Sequence, residues 1–117
     1  MRFIDRKTFL ALPPGTVFSH CVSGTFGSFD GLSIKGESLP SDYYEENLVL
    51  PLRADDSEEW VRAVERAEAG EEVELEFGVE QRNGLFDDSE RFAIWSSSDV
   101  AALIRRLAET LGGQPPA

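Results

Sequence analysis

Between positions 73 and 79 the apolar Val73, Leu75, Phe77 and Val79 alternate with Glu72, Glu74, Glu76 and Glu80. That period of two predicts a β-strand with one buried and one wet face. Just upstream, Trp60, Val61, Val64 and Ala67 recur at helical spacing, Asp56 and Glu59 form a capping-box-like start, and Gly70 supplies a stop. A helix over about 57–69 is expected. Ser98 can cap a last helix whose Val100, Leu103, Ile104, Leu107 and Leu111 share a face and whose end is marked by Gly112-Gly113. Each of the strand and the last helix shows one apolar face that needs covering, so Val73, Leu75, Phe77, Val100, Leu103, Ile104 and Leu107 are expected to be buried together.

The first half is less periodic. Asp5 can cap a short helix carrying Phe9, Leu10 and Leu12, which Pro13-Pro14-Gly15 ends abruptly. Strand formers follow over 16–22, 25–29 and 31–35, punctuated by Gly24, Gly27 and Gly31; turn chemistry occupies 36–42, and strand composition returns over 43–52. Asn83-Gly84 is a strong hairpin signal, which would join the 73–79 strand to a returning strand at Arg91–Trp95. The implied fold is α+β: a single domain over 1–113, with a mostly antiparallel sheet of five or six strands, two main helices and a short N-terminal helix. Residues 114–117 read as a flexible tail.

Composition narrows the function classes. The chain has 117 residues, 41% of them hydrophobic, with 22 acidic and 11 basic side chains and a net charge of −11. That is enough apolar material for one core. The apolar runs are too short to span a bilayer, and Met1-Arg2-Phe3-Ile4-Asp5-Arg6 lacks the apolar stretch of a signal peptide, so the sequence reads as a soluble, cytoplasmic protein without membrane association. The single Cys21 can form neither an internal disulfide nor a thiolate metal cage. Like-charge repulsion disfavours direct contact with nucleic acid.

The charge is also unevenly placed. From Glu37 to Glu90 there are 18 acidic and 4 basic residues, a local charge of −14, whereas the rest of the chain carries 4 acidic and 7 basic residues, or +3. On a strand, Glu72, Glu74 and Glu76 would form a ladder of carboxylates about 6.8 Å apart. Two readings remain: a solvated face that maintains solubility, or a surface that competes for a basic groove on a partner. The second reading nominates Glu72, Glu74 and Glu76, the loop residues Asp87, Asp88 and Glu90, and Tyr43, Tyr44, Glu45 and Glu46 as partner-binding residues. Adjacent strand residues face opposite ways, so one of the two tyrosines is expected to meet solvent.

Chemical motifs are sparse. His20 and Cys21 are neighbours, but on a strand they point apart, which favours a core cysteine and a surface or hydrogen-bonded histidine over a catalytic dyad. No G-x-S-x-G elbow, P-loop, dinucleotide fingerprint or EF-hand spacing occurs. Asp87-Asp88-Ser89-Glu90 reads as a polar loop rather than an ion site. The sequence therefore predicts no enzymatic activity, no cofactor and no metal. A different class, a binder that sequesters a nucleotide signal, would use aromatic stacking and the basic minority Arg2, Arg6, Arg105 and Arg106.

The opening Phe3-Ile4-Asp5-Arg6-Lys7-Thr8-Phe9-Leu10-Ala11-Leu12-Pro13-Pro14-Gly15-Thr16-Val17-Phe18 resembles the start of small uncharacterised proteins of phages and prophages. Gly84-Leu85-Phe86-Asp87-Asp88, Phe92-Ala93-Ile94-Trp95 and the final helix at Asp99-Val100 are similar to their second half. The resemblance implies a mobile-element context in a host bacterial cytoplasm. By analogy with small acidic anti-CRISPR proteins it implies an inhibitor of a basic, nucleic-acid-binding bacterial defence component. An immunity protein that caps a toxic nuclease is an alternative, and the sequence leaves open a homodimer.

Overall fold

A computed structural model of the chain describes residues 1–24, 27–49 and 51–112. The elements are β1 (Arg2–Asp5), α1 (Arg6–Leu10), β2 (Val17–Cys21), β3 (Phe29–Ser38), β4 (Tyr43–Asn47), α2 (Ser57–Glu68), β5 (Gln81–Arg82), β6 (Arg91–Ile94) and α3 (Ser97–Thr110). All six strands lie in one antiparallel sheet of order β1-β6-β2-β3-β4-β5, an α+β fold.

Local signals set most element ends. The Asp5 carboxylate accepts from the Thr8 amide at 2.8 Å and starts α1, while Asp56 accepts from Glu59 at 2.8 Å and starts α2. The cap of α3 is Ser96 rather than the expected Ser98: its hydroxyl accepts from the Asp99 amide and the Asp99 carboxylate returns the bond to the Ser96 amide, a reciprocal capping box. The sequence reading missed β1, because its four residues give no period long enough to register, and its pairing with β6 is what makes it a strand. The expected strands at 25–29 and 31–35 are represented by one strand, β3, that runs through Gly31 (φ 71°) and on into the expected turn. Thr25 and Phe26 lie outside the described residues, as does Leu50 of the expected 43–52 strand, of which β4 is the formed part. The expected tail also falls outside them.

The core is an aromatic cluster. Phe9 of α1 is driven onto the sheet, stacking on Phe92 of β6 at a 3.8 Å centroid separation and meeting Phe18 of β2 and Tyr43 of β4 edge-on at 4.7 and 4.9 Å. All four rings are fully buried. Each such pair adds about 0.5–1.5 kcal/mol beyond the burial of its area, so a five-residue helix serves as the plug of the core.

The expected core is overturned. Phe77 is 59% exposed, Leu75 and Val79 are exposed as well, and so are Ile104 and Leu107 of α3. Among the described residues, 73–79 form no strand and pair with the chain opposite through one isolated bridge, between Leu75 and Leu52. The facing chain contains Pro51, which has no N–H to donate to a ladder, and Gly78 at φ 90° breaks the alternation of faces. The Asn83-Gly84 hairpin does not form between 73–79 and β6 either: β5 pairs with β4, and β6 lies between β1 and β2.

Candidate functional site

Six charged side chains from five parts of the chain meet at one end of the aromatic cluster. His20 follows Phe18 on β2, past a register shift, and its ring lies 5.2 Å from that of Phe18 and 5.7 Å from that of Phe92. Its Nδ1 is 2.7 Å from Glu90 Oε1 and its Nε2 is 2.9 Å from Glu45 Oε2. Carboxylates only accept, so an imidazole held between two of them carries a proton on both nitrogens. Burial by itself would depress the pKa of His20, but the hydrogen bonds and negative charges of Glu45 and Glu90 outweigh it and push it from 6.5 up to about 9.

The network continues inward. Arg6 is buried; it donates to the Ser41 carbonyl at 2.9 Å and to Glu90 Oε2 at 3.4 Å, lies 3.7 Å from Asp42 Oδ1, and covers the Tyr43 ring. Asp42, fully buried, accepts from Arg82 Nε at 2.7 Å and from the Gly84 amide at 2.9 Å. Desolvation acts to raise the Asp42 pKa, yet Arg82 and the Tyr43 and Gly84 amides reverse it and hold the carboxyl below its ordinary value. Asn83 Nδ2 donates to Glu45 Oε1 at 3.2 Å. Three cations therefore face three carboxylates, and no buried side-chain polar atom among the described residues lacks a partner. Such an arrangement is a clamp that ties α1, β2, β4 and the loop before β6 together. Both nitrogens of His20 are engaged away from the Cys21 thiol, whose pKa is raised chiefly by burial. Cys21 is half-buried beside a cavity of about 840 Å³ that Phe3, His20, Val22 and Leu85 also line, and not in the core as expected.

The residues nominated from sequence divide between this cluster and the surface. Tyr43 is in the core, which corrects its assignment to a partner surface; Tyr44 is half-buried. Burial, followed by the charges of Glu45 and Glu90, holds the Tyr43 phenol neutral by raising its pKa. Glu45 and Glu90 are corrected in the same way, since both are held in the His20 clamp. Glu46 accepts from the Gly78 amide at 2.6 Å and pins the 71–80 segment to β4. Glu72, Glu74, Glu76, Asp87 and Asp88 are exposed, Glu74 lying 3.7 Å from the exposed Arg53, and Leu75, Phe77 and Val79, which alternate with the glutamates, are exposed with them in place of the expected single-faced ladder.

Among these exposed residues Glu76 lines a groove of about 800 Å³ bounded by Trp60 and Val61 of α2, Leu52, Val79 and Leu85, with Asp55 and Asp56, whereas Asp87 lines the cavity beside Cys21. Leu85 is 70% exposed. Phe86 beside it has φ 52°, a left-handed conformation that costs about 1 kcal/mol or more for a bulky residue, and the Arg82 guanidinium lies over its ring at 5.5 Å.

Two of the four arginines a nucleotide site would use are already paired with carboxylates. Arg6 is committed to Asp42 and Glu90, and Arg106 pairs with Glu109 at 2.8 Å. Among the described residues no cluster of three or more His, Cys, Asp or Glu side chains is arranged to hold a metal, and no helix is long and apolar enough to cross a membrane. Arg6, His20, Asp42 and Arg82 were missed as a site, because their partners are 25 to 84 positions away and no local spacing signals them. Comparisons with protein-family models, curated proteins and solved structures find no match to the chain.

Proposed function

We propose that this is a non-enzymatic interaction protein that docks its acidic, apolar-studded 52–88 surface onto a basic, nucleic-acid-binding protein, in the setting of a mobile element acting in a bacterial cytoplasm. The observation that carries this reading is the exposure, within one stretch of the chain, of Trp60, Phe77, Leu85 and Phe86 together with the carboxylates of Glu72, Glu74, Glu76, Asp87 and Asp88, Trp60, Leu85 and Glu76 lining one groove. A solvated face needs only the charges. Large apolar side chains set among them are what a binding surface uses as anchors, while the charges steer a basic partner and exclude acidic ones. A defence complex and a toxic nuclease both present such basic grooves. Commitment of Arg6 to the internal clamp removes one of the four arginines a nucleotide-sequestering site would use.

The test is affinity capture from a bacterial host lysate, followed by titration of the purified partner. Reversing Glu72, Glu74 and Glu76 to Lys is expected to weaken binding at least about tenfold, and Phe77→Ser with Leu85→Ser by a similar factor. Arg105→Glu with Arg106→Glu is expected to change binding less than about twofold, and wild-type affinity should fall as salt rises. Unchanged binding by the folded glutamate variant, or a ranking in which only the arginine variant fails, would overturn the proposal.

A further inference from the structure

β5 is the last strand at one side of the sheet, and among the described residues no strand lies beyond it. It pairs with β4 alone, Arg82 opposite Tyr44 and Gln81 opposite Glu45, and just past its end the Asn83 amide donates to the Tyr43 carbonyl at 3.0 Å. Bonded and non-bonded pairs alternate along an antiparallel ladder, so the bonded pair at Asn83 makes Arg82 the residue whose N–H and C=O turn away from β4 to the open edge. No backbone hydrogen bond of the described residues uses either group on that side. An edge of this kind is a template for another extended chain.

The open edge lies in the groove of about 800 Å³ described above, since Gln81 and Arg82 line it together with Trp60 and Val61 of α2. Leu52, Val79 and Leu85 give the groove apolar surface, and Glu45, Asp55, Asp56 and Glu76 give it four carboxylates. Its one cation, Arg82, is committed to the buried Asp42 at 2.7 Å. Glu45 is held by His20 and Asn83, and Asp56 caps α2, whereas the Asp55 and Glu76 carboxylates have no partner among the described residues.

We infer that this groove takes one extended segment of a partner protein, carrying Lys or Arg among apolar residues, which adds as a strand to the edge of β5. The inference rests on the reading of the 52–88 surface as a docking surface for a basic protein and names the part of that partner it holds. Two independent features select the occupant. The outward N–H and C=O of Arg82 are matched by another extended backbone, because a helix satisfies its own backbone groups internally. The unpaired carboxylates of Asp55 and Glu76 select cations, while Leu52, Trp60, Val61, Val79 and Leu85 receive apolar side chains and the alkyl stems of those same cations. An acidic segment or a phosphate backbone meets the backbone edge but is repelled by the carboxylates.

Titration of the isotope-labelled full chain with synthetic peptides, followed by nitrogen–proton NMR, tests this. The probes are an alternating Val-Arg peptide of about eight residues, its Val-Glu counterpart, and the Val-Arg peptide with its amides N-methylated, which keeps the charge and removes the donors. The Val-Arg peptide should shift the Gln81 and Arg82 amides and the Trp60 indole N–H saturably, while the Trp95 indole, bonded to Ser19, stays in place. The Val-Glu peptide should not bind, and N-methylation should weaken binding at least about tenfold. Asp55→Lys with Glu76→Lys should also weaken it at least about tenfold. Glu72→Lys with Glu74→Lys, an equal change of charge outside the groove, should weaken it by less than about threefold, and the same spectra report whether each variant is folded. Equal binding of the N-methylated peptide, saturable shifts that leave β5 untouched, or no saturable binding would overturn the inference. So would a captured basic partner that Glu72→Lys with Glu74→Lys releases but Asp55→Lys with Glu76→Lys does not, a result that leaves the wider docking surface standing. Peptide binding as expected in a chain that captures no basic protein would uphold the groove and count against that wider reading alone.

Discussion

Raising the pH is the most direct perturbation of the His20 clamp. The imidazole's pKa stands at about 9 in the folded protein against an ordinary 6.5. A raised value means that the folded state holds the proton more tightly than the unfolded one. The resulting stabilisation is fully present below about pH 6.5 and is lost as the pH climbs through about 9. The interval between the two values corresponds to about 3 kcal/mol. Because the imidazole is 29% exposed, water screens part of that, and about 2–3 kcal/mol is expected. The assay is urea denaturation of wild type and His20→Asn at about pH 6, 8 and 10, with the difference between the two proteins as the readout. That difference cancels other groups that titrate in the same range, such as Lys35, whose pKa burial lowers. It should be greatest at about pH 6 and shrink toward about pH 10 as wild-type His20 loses its proton. A difference that stays constant across the range would show that the folded state holds the His20 proton no more tightly than the unfolded one, and the clamp as described would be wrong.

Other outcomes follow from particular side chains. Phe92→Ala should cost about 3–5 kcal/mol in a denaturant titration, because it removes the ring stacked on Phe9; Phe77→Ala should cost less than about 0.5 kcal/mol, as expected of an exposed side chain. Asp42→Asn should destabilise by about 3–5 kcal/mol by leaving buried Arg6 short of a counter-charge. Since the Asp42 pKa is depressed, its contribution is present above about pH 3.8 and fades as the pH falls through the lower folded value, so acid titration of the variant should lack that part of the wild-type transition. Ser96→Ala should cost about 1 kcal/mol and show first as faster exchange of the amides at the start of α3. Reversing Glu72, Glu74 and Glu76 to Lys should change stability by no more than about 0.5 kcal/mol while weakening capture of a basic partner, which separates the surface role of these residues from a structural one.

The sequence by itself determined whatever is decided within a few residues. The caps at Asp5 and Asp56 lie where the donors they satisfy are three positions away, and α1, α2, β2 and β6 form close to their expected places. The charge asymmetry, too, is a matter of counting. What the tertiary structure alone decided is which apolar faces are covered. The alternation over 73–79 and the helical stripe of α3 are as regular as any pattern in the chain, yet both stand exposed, because Phe9, Phe18, Tyr43 and Phe92 fill the space over the sheet. Periodicity records that a face is apolar and carries no information about what it meets. The clamp is a tertiary product for the same reason. His20 beside Cys21 has no local partner, and its charge exists only where the fold brings Glu45 and Glu90, 25 and 70 positions away, within 3 Å of its two nitrogens. The hydrogen bonds and negative charges of the two glutamates together outweigh the desolvation that opposes a charged ring, a condition that no linear pattern of residues can express.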